Sequence, residues 1–229
     1  MVLPPGRGES GMARTVRVVA SDVVVFALGH SLLASRPAKA AGQRLLGRPG
    51  RDGLYRVVYG ALAVVWLALL VRRWARLADR VVYRLPAPLA AAMRLGQLAV
   101  VAVLLDANVR VGLGRISGLR PAWELVSGRD PTPEAVAQGP RLDDNDHQGG
   151  RTGGAFRLCR HPNNAGAALL LVLQPAMTVR LLTVALVGVA YLILGSVHEE
   201  RRLRAAYGAA YERYRAGVPF FLPLPGRRR

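Results

Sequence analysis

Apolar runs of near membrane-crossing length, each bracketed by arginines, constrain this chain more than any other feature. They read from about Val16 to Leu33, Leu54 to Val71, Leu89 to Val109, Asn164 to Gln174 and Thr178 to Val197. A hydrocarbon core of about 30 Å takes roughly 20 apolar helical residues, and within it every backbone N–H and C=O must find a partner inside the protein. The predicted fold class is therefore all-α: a multi-pass helical membrane protein with about five transmembrane helices and a C-terminal amphipathic helix. The fourth run is short for a full crossing, and is expected to begin earlier or to sit buried among the other helices.

The charge fits that class. The 229 residues are 52% hydrophobic and carry a formal net charge of +18, values that a soluble domain rarely combines. Nucleic-acid binding is the usual reading of so basic a chain, but here the arginines flank apolar runs rather than gather on one soluble module. The expected partner is the lipid bilayer, not nucleic acid. Only Lys39 among the 32 basic residues is a lysine, which reads as genome composition rather than function. Cys159, the single cysteine, permits no intramolecular disulfide. Arg14 and Arg17 before an apolar run, with Ala38-Lys39-Ala40 behind it, imitate a signal peptide, but Asp22 and His30 interrupt the run and further spans follow. A retained first helix is expected.

Residues 1–13 are rich in glycine and proline and are expected to be a disordered tail. Residues 14–127 form a three-span scaffold, residues 128–154 a flexible polar loop, and residues 155–229 a helical hairpin followed by the amphipathic helix. Tyr55, Tyr59 and Trp74 stand near the ends of the second span, where an aromatic belt would place them. Ile116, Leu119, Trp123, Leu125 and Val126 predict a short interfacial helix. From Glu199 to Tyr214, the apolar positions Leu203, Tyr207, Tyr211 and Tyr214 recur at helical spacing and give one apolar face; Gly217, Pro219 and Pro223 then end helical structure. With five spans the termini lie on opposite sides. One side collects 22 basic residues and the other 10, so the positive-inside rule puts the C-terminus in the cytoplasm, with the bacterial inner membrane as the expected location.

Two polar clusters flank the last hairpin. Arg160-His161-Pro162-Asn163-Asn164-Ala165-Gly166 opens it, and Glu199-Glu200 closes it at the same membrane face. A proline at a helix start is ordinary, and an arginine there can simply anchor to phosphates. The sharper reading is an anion or cofactor contact, where asparagines and free backbone N–H groups converge. Glu199 and Glu200 by themselves read equally as a surface ion pair. Asp22, His30, Asp106 and Asn108 lie inside spans, where polar groups are costly and are functional candidates or local ion pairs. His147 with Asp143, Asp144 and Asp146 suggests adventitious metal binding in the polar loop, and no designed metal site is expected.

The joint pattern, Arg-His-Pro, an apolar hairpin, then Glu-Glu-x-x-Leu-x-x-x-Tyr-Gly-x-x-Tyr-x-x-Tyr-x-x-x-Val-Pro-x-x-Leu-Pro, resembles the isoprenylcysteine carboxyl methyltransferase superfamily of small integral-membrane enzymes that use S-adenosylmethionine. The likeness covers about the last seventy residues. Gly29-His30-Ser31-Leu32-Leu33-Ala34-Ser35 and Arg51-Asp52-Gly53-Leu54-Tyr55-Arg56 are similar to the NnrU-like and methanethiol S-methyltransferase branches. The resemblance implies that Arg160, His161 and Pro162 border the cofactor pocket and that Gly166 lets the nucleoside approach the helix. It implies that Glu199 and Glu200 hold ribose hydroxyls or the methionine amine, and that Tyr207, Tyr211 and Tyr214 pack a lid helix. Asn164 departs from the aromatic residue many members carry there.

The sulfonium methyl is already electrophilic, so positioning and water exclusion are what the protein must supply. Arg160 can neutralise a carboxylate, and His161 can accept a thiol proton; these are the expected catalytic pair. The acceptor is expected to be small or lipophilic, a thiol or a carboxylate first. His30 and Asp106 are candidates for the substrate side. Two rival readings stand beside this one. Some NnrU-like proteins bind haem through histidines, which would make His30 and His161 axial ligands of a haem b with Cys159 nearby, and a non-enzymatic membrane scaffold is the other.

Overall fold

The computed structural model describes residues 7–133, 142 and 153–222. The first helix, α1 (Arg7–Ala34), stops where Ser35 turns the backbone extended and caps α2 (Arg36–Trp74), its hydroxyl accepting from Ala38 N at 3.4 Å. Gly47 breaks α2 at φ +70, a left-handed value that a side chain resists, and Pro49 opens the part that continues. The stretch between the first two apolar runs is thus helical on both sides of a kink. After a short strand β1 (Val81–Arg84) follow α3 (Ala87–Val111), α4 (Leu113–Ser117), α5 (Leu119–Val126), α6 (Ala155–Leu158), α7 (Pro162–Val172), β2 (Ala176–Thr178) and α8 (Val179–Gly217).

Four of these helices are long and apolar enough to cross a membrane: Gly11–Ala34 within α1, then α2, α3 and α8. That is the all-α multi-pass architecture expected from the apolar runs. Val58, Leu62, Val65 and Leu69 on α2, with Leu98 and Leu105 on α3, remain exposed, as suits a surface facing lipid tails rather than water. Inside, Val19 and Val23 of α1 meet Leu70 and Trp74 of α2, with Val184 and Val187 of α8 packed against them.

The fourth apolar run follows the length of α3 in two pieces, a short helix and a non-helical segment. At 11 residues α7 is about 16 Å long, too short alone. It starts beside the end of α3, where Asn108 Nδ2 donates to Asn163 Oδ1 at 3.0 Å. Past Val172 the chain runs non-helical to β2, which pairs antiparallel with β1 at the far end. At about 3.3 Å per extended residue, this covers much of the remaining depth. Backbone groups freed by the missing helix are satisfied by protein: Gln97 Nε2 donates to Leu173 O, Gln174 Nε2 to Leu170 O, the Tyr83 hydroxyl to Gln174 O at 3.1 Å and Leu85 N to Pro175 O at 2.9 Å. The start of α1 lies at that same far end, where the Thr15 hydroxyl donates to Ala78 O at 2.7 Å. The end of α8 lies at the opposite one.

Three local expectations change. The helix begins at Arg7, before the expected end of the tail at residue 13. Trp74 does not face lipid: its indole N–H donates to Asp22 Oδ2 at 2.9 Å, with Arg73 on Oδ1 at 2.8 Å, so Asp22 is a joint between α1 and α2. Tyr55 and Tyr59 also turn inward, Tyr55 donating to Leu33 O at 2.7 Å, because α1 packs along that face of α2. The expected interfacial helix is two helices separated by Gly118 at φ +80. Trp123 and Val126 stay exposed, and Leu125 packs where a Cβ on Gly53 would stand 2.8 Å away. His147, Asp143, Asp144, Asp146 and Pro223 lie outside the described residues.

Candidate active site

Asp106, near the end of α3, sets up the first polar cluster. Its carboxylate takes Arg110 Nε at 2.9 Å and accepts the Ala155 N–H at 2.7 Å, which starts α6. Asp106 is therefore an anchor for the chain entering the site and lines neither of the two cavities described below. From α6 the backbone turns extended at Cys159 and delivers Arg160 and His161 to the entrance of α7.

Arg160 is 9% exposed and its guanidinium is engaged through Nε and Nη1. Nε donates to Glu200 Oε1 at 2.7 Å, Nη1 donates to Val218 O at 2.7 Å and to Arg215 O at 3.1 Å, and the Phe220 ring lies 5.5 Å below. The Arg160 N–H donates to Pro219 O at 2.9 Å. His161 Nε2 stands 3.4 Å from Glu200 Oε1 and Nδ1 3.5 Å from Glu199 Oε2, with the edge of Phe220 closing the third side. The second Glu200 oxygen faces Arg204 at 3.5 Å and Arg215 at 3.8 Å. Consecutive residues on a helix point about 100° apart, so the acidic pair divides: Glu200 is sealed among three guanidiniums, while Glu199 turns toward the cavities.

The lid is a folded-back helix end rather than a straight stripe. Gly208 takes φ 49 and ψ −125 and breaks α8. Beyond the break Tyr211 is buried beside Glu200, and the Tyr214 hydroxyl donates to Phe156 O at 2.6 Å. Tyr207, before the break, is only half-buried, so the three tyrosines do not form one continuous face.

Two cavities adjoin this cluster. The smaller, about 20 Å³, is bounded by Phe156, Arg160, His161, Pro162, Asn163, Asn164 and Glu199. The larger, about 280 Å³, reaches from Asn164, Glu199 and Tyr191 across to His30, Ser31 and Tyr59, with Lys39, Arg56 and Arg202 among its polar lining. Asn164 and Glu199 line both. Asn164 is held there by donating to Ser196 Oγ at 2.9 Å, and Ser196 in turn donates to Leu192 O at 2.8 Å. On the far wall the Tyr59 hydroxyl lies 2.5 Å from His30 Nε2, Phe26 stacks on the imidazole at 5.5 Å, and the Ser31 and Tyr191 hydroxyls pair at 3.0 Å. Ser31, Tyr59 and Tyr191 join the expected site residues here. The available signal was Tyr55 and Tyr59 four apart on one helical face.

Packing and electrostatics bear on several of these residues. A Cβ on Gly166 would stand 2.7 Å from Leu104 Cδ2, so its small size lets α7 close on α3. Both ring nitrogens of His161 face carboxylates and His30 Nε2 is against Tyr59, which is not the arrangement of a bis-histidine haem site. Burial pushes the Cys159 thiol up to about 11, so it stays protonated at neutral pH and is a poor ligand or nucleophile. Among the described residues, no three His, Cys, Asp or Glu side chains cluster to hold a metal ion.

Related chains align with this one over most of its length. This protein is 30% identical over 205 residues to "Methanethiol S-methyltransferase" of Mycobacterium tuberculosis, covering 89% of this chain and 76% of the relative. The chain belongs to the methanethiol S-methyltransferase family. Another such protein, from Crocosphaera subtropica, is 26% identical over 211 residues, 89% of this chain and 73% of its own. "Methanethiol S-methyltransferase 2" of Bradyrhizobium diazoefficiens is 41% identical over 80 residues, 34% of this chain and 31% of its own. A match covering 89% of this chain contains both His30 and Glu200 wherever its ends fall, so the likeness to the methanethiol S-methyltransferase family takes in both walls of the larger cavity. No protein-family model matches the chain. No solved structure matches it.

Proposed function

We propose that this protein is an integral membrane S-adenosylmethionine-dependent methyltransferase whose acceptor is a small thiol. The observation that carries the reading is the convergence of Arg160, His161, Glu199 and Glu200 at one end of the bundle, beside a cavity that continues to His30 and Tyr59. The relatives' names support the thiol over a carboxylate.

The residues present suit the cofactor. Its sulfonium methyl supplies, when bound, an electrophilic carbon that needs no further activation. Glu199, with its carboxylate at the boundary of both cavities, suits a cationic amine or ribose hydroxyls, and Asn164 adds an amide beside it. Lys39, Arg56 and Arg202 line the larger cavity and suit a carboxylate there. Arg160, Glu200 and Tyr211 act one step behind: all three are buried, and the contacts of Arg160 to Glu200 and to Val218 O hold the C-terminal turn and exclude water from the entrance of α7. Removing water strengthens the remaining polar contacts.

The 22 basic residues on the site's side of the spans, against 10 on the other, support a cytoplasmic face for this end, within a bacterial inner membrane. A green fluorescent protein fused to the C-terminus should then fluoresce, and a periplasmic phosphatase fused there should be inactive.

The test of activity uses purified protein in detergent. S-Adenosylhomocysteine should stabilise the protein by mass action, by about 2.7 kcal/mol at a hundredfold excess over Kd, and so raise its thermal midpoint. Methanethiol with S-adenosylmethionine should yield dimethyl sulfide in the headspace. No stabilisation together with no product overturns the proposal.

A further inference from the structure

The wall of the larger cavity formed by α1 and α2 carries a polar group for which the cofactor contacts leave no task. The His30 imidazole is clamped between the Phe26 ring, stacked at 5.5 Å, and the Tyr59 hydroxyl, 2.5 Å from Nε2 and 3.1 Å from Nδ1. It faces the cavity that Asn164 and Glu199 close on the other side. The expected proton acceptor was His161, yet His161 lines only the smaller cavity, with a carboxylate oxygen 3.4 Å from one ring nitrogen and 3.5 Å from the other. A ring held between two carboxylates serves the internal ion network. One held by a phenol at the edge of open space can receive a proton from a ligand.

Resting on the methyltransferase reading, we infer that His30 is the base for the acceptor, with Tyr59 as the residue that positions its ring. The thiol enters between His30 and the wall formed by Asn164 and Glu199. Its S–H bond breaks and the proton goes to an imidazole nitrogen of His30. The sulfur's electron pair forms the new S–CH3 bond, and the donor's C–S bond breaks with its electrons left on the donor sulfur as a neutral thioether. The imidazolium then returns its proton to water, so each turnover releases one proton. The chemistry selects the acceptor class. A simple alkyl thiol, a weaker acid than the cysteine side chain at about 8.5, is almost wholly protonated at neutral pH, whereas a carboxylate acceptor arrives already ionised and would leave this histidine idle.

Thiol acidity gives the test. His30→Gln is compared with the unaltered protein using methanethiol and the more acidic 2,2,2-trifluoroethanethiol, while S-adenosylhomocysteine stabilisation is followed in parallel. A general base contributes about 100-fold or more, so methanethiol turnover should fall by about that factor, and trifluoroethanethiol turnover by less than about tenfold, with the stabilisation retained. Equal losses with both thiols, or no loss, overturn the inference and leave the methyltransferase reading intact. If His30→Gln does not fold, Tyr59→Phe decides by the same comparison: a loss confined to methanethiol supports the assignment and an equal loss refutes it. If the unaltered protein is not stabilised by S-adenosylhomocysteine and transfers no methyl group, the reading and the inference fall together.

Discussion

Arg204 and Glu212 stand eight residues apart and meet at 3.0 Å. In an unbroken helix that separation spans about 12 Å along the axis. The contact exists because α8 folds back at Gly208, and the same fold brings the carbonyls of Arg215 and Val218 onto Arg160. No atom lies within 4 Å of where a Gly208 Cβ would be, so any cost of a side chain there is conformational. Gly208→Ala should lower stability by about 1–3 kcal/mol and weaken S-adenosylhomocysteine stabilisation. Thermal melts with and without the ligand check both.

The two neighbouring glutamates should separate in experiment. Glu200 is 6% exposed among Arg160, Arg204 and Arg215, and deleting one partner of a buried pair costs about 3–5 kcal/mol. Glu200→Ala should therefore melt markedly lower even without ligand. Glu199→Gln should change the ligand-free stability by less than about 1 kcal/mol while reducing the shift produced by S-adenosylhomocysteine. The reverse ranking would mean that Glu200, not Glu199, is the ligand contact.

Gly166→Ala should destabilise by about 1–3 kcal/mol, as overpacking does, because the added methyl meets Leu104 Cγ at 2.8 Å. Combining it with Leu104→Ala should cost less than the two single changes added together. A double-mutant cycle read by denaturant or thermal unfolding measures this coupling.

Alkali should reveal the buried thiol. Cys159 is raised from 9.0 to about 11, first by desolvation. A raised folded-state value means the native protein holds this proton longer than the unfolded chain does. The stability it contributes is full below about pH 9 and is lost as pH rises toward 11. The thermal midpoint should therefore fall over that window, and Cys159→Ala should fall less. At neutral pH Cys159 should resist maleimide until the protein is denatured.

Several features were legible because they depend on charge and length alone. The apolar runs give the crossings, and their parity brings Arg160 and Glu200 to the same end. Other features depend on packing. Pro175 marks the end of the fourth run to within a few residues, but helical and buried extended segments share the same apolar composition over short stretches, so the strand at Ala176–Thr178 is not announced. Gly208 sits in a tyrosine stripe whose spacing suits a continuous helix, and glycine inside a helix is tolerated often enough to hide a break. Tyr59 stands near the end of an apolar run, where lipid-interface tyrosines also stand. Its partner His30 lies on another helix, and only the pairing of α1 with α2 assigns it inward.

The half-helical, half-extended crossing also bears on biogenesis. A segment whose lower half has no helical hydrogen bonds of its own cannot be handed to the bilayer as a self-sufficient unit. Its amide groups rely on Gln97, Tyr83 and Leu85, all made earlier in translation. The fourth pass must therefore wait beside the already inserted third helix and its preceding strand, and join the membrane as a late, templated arrival.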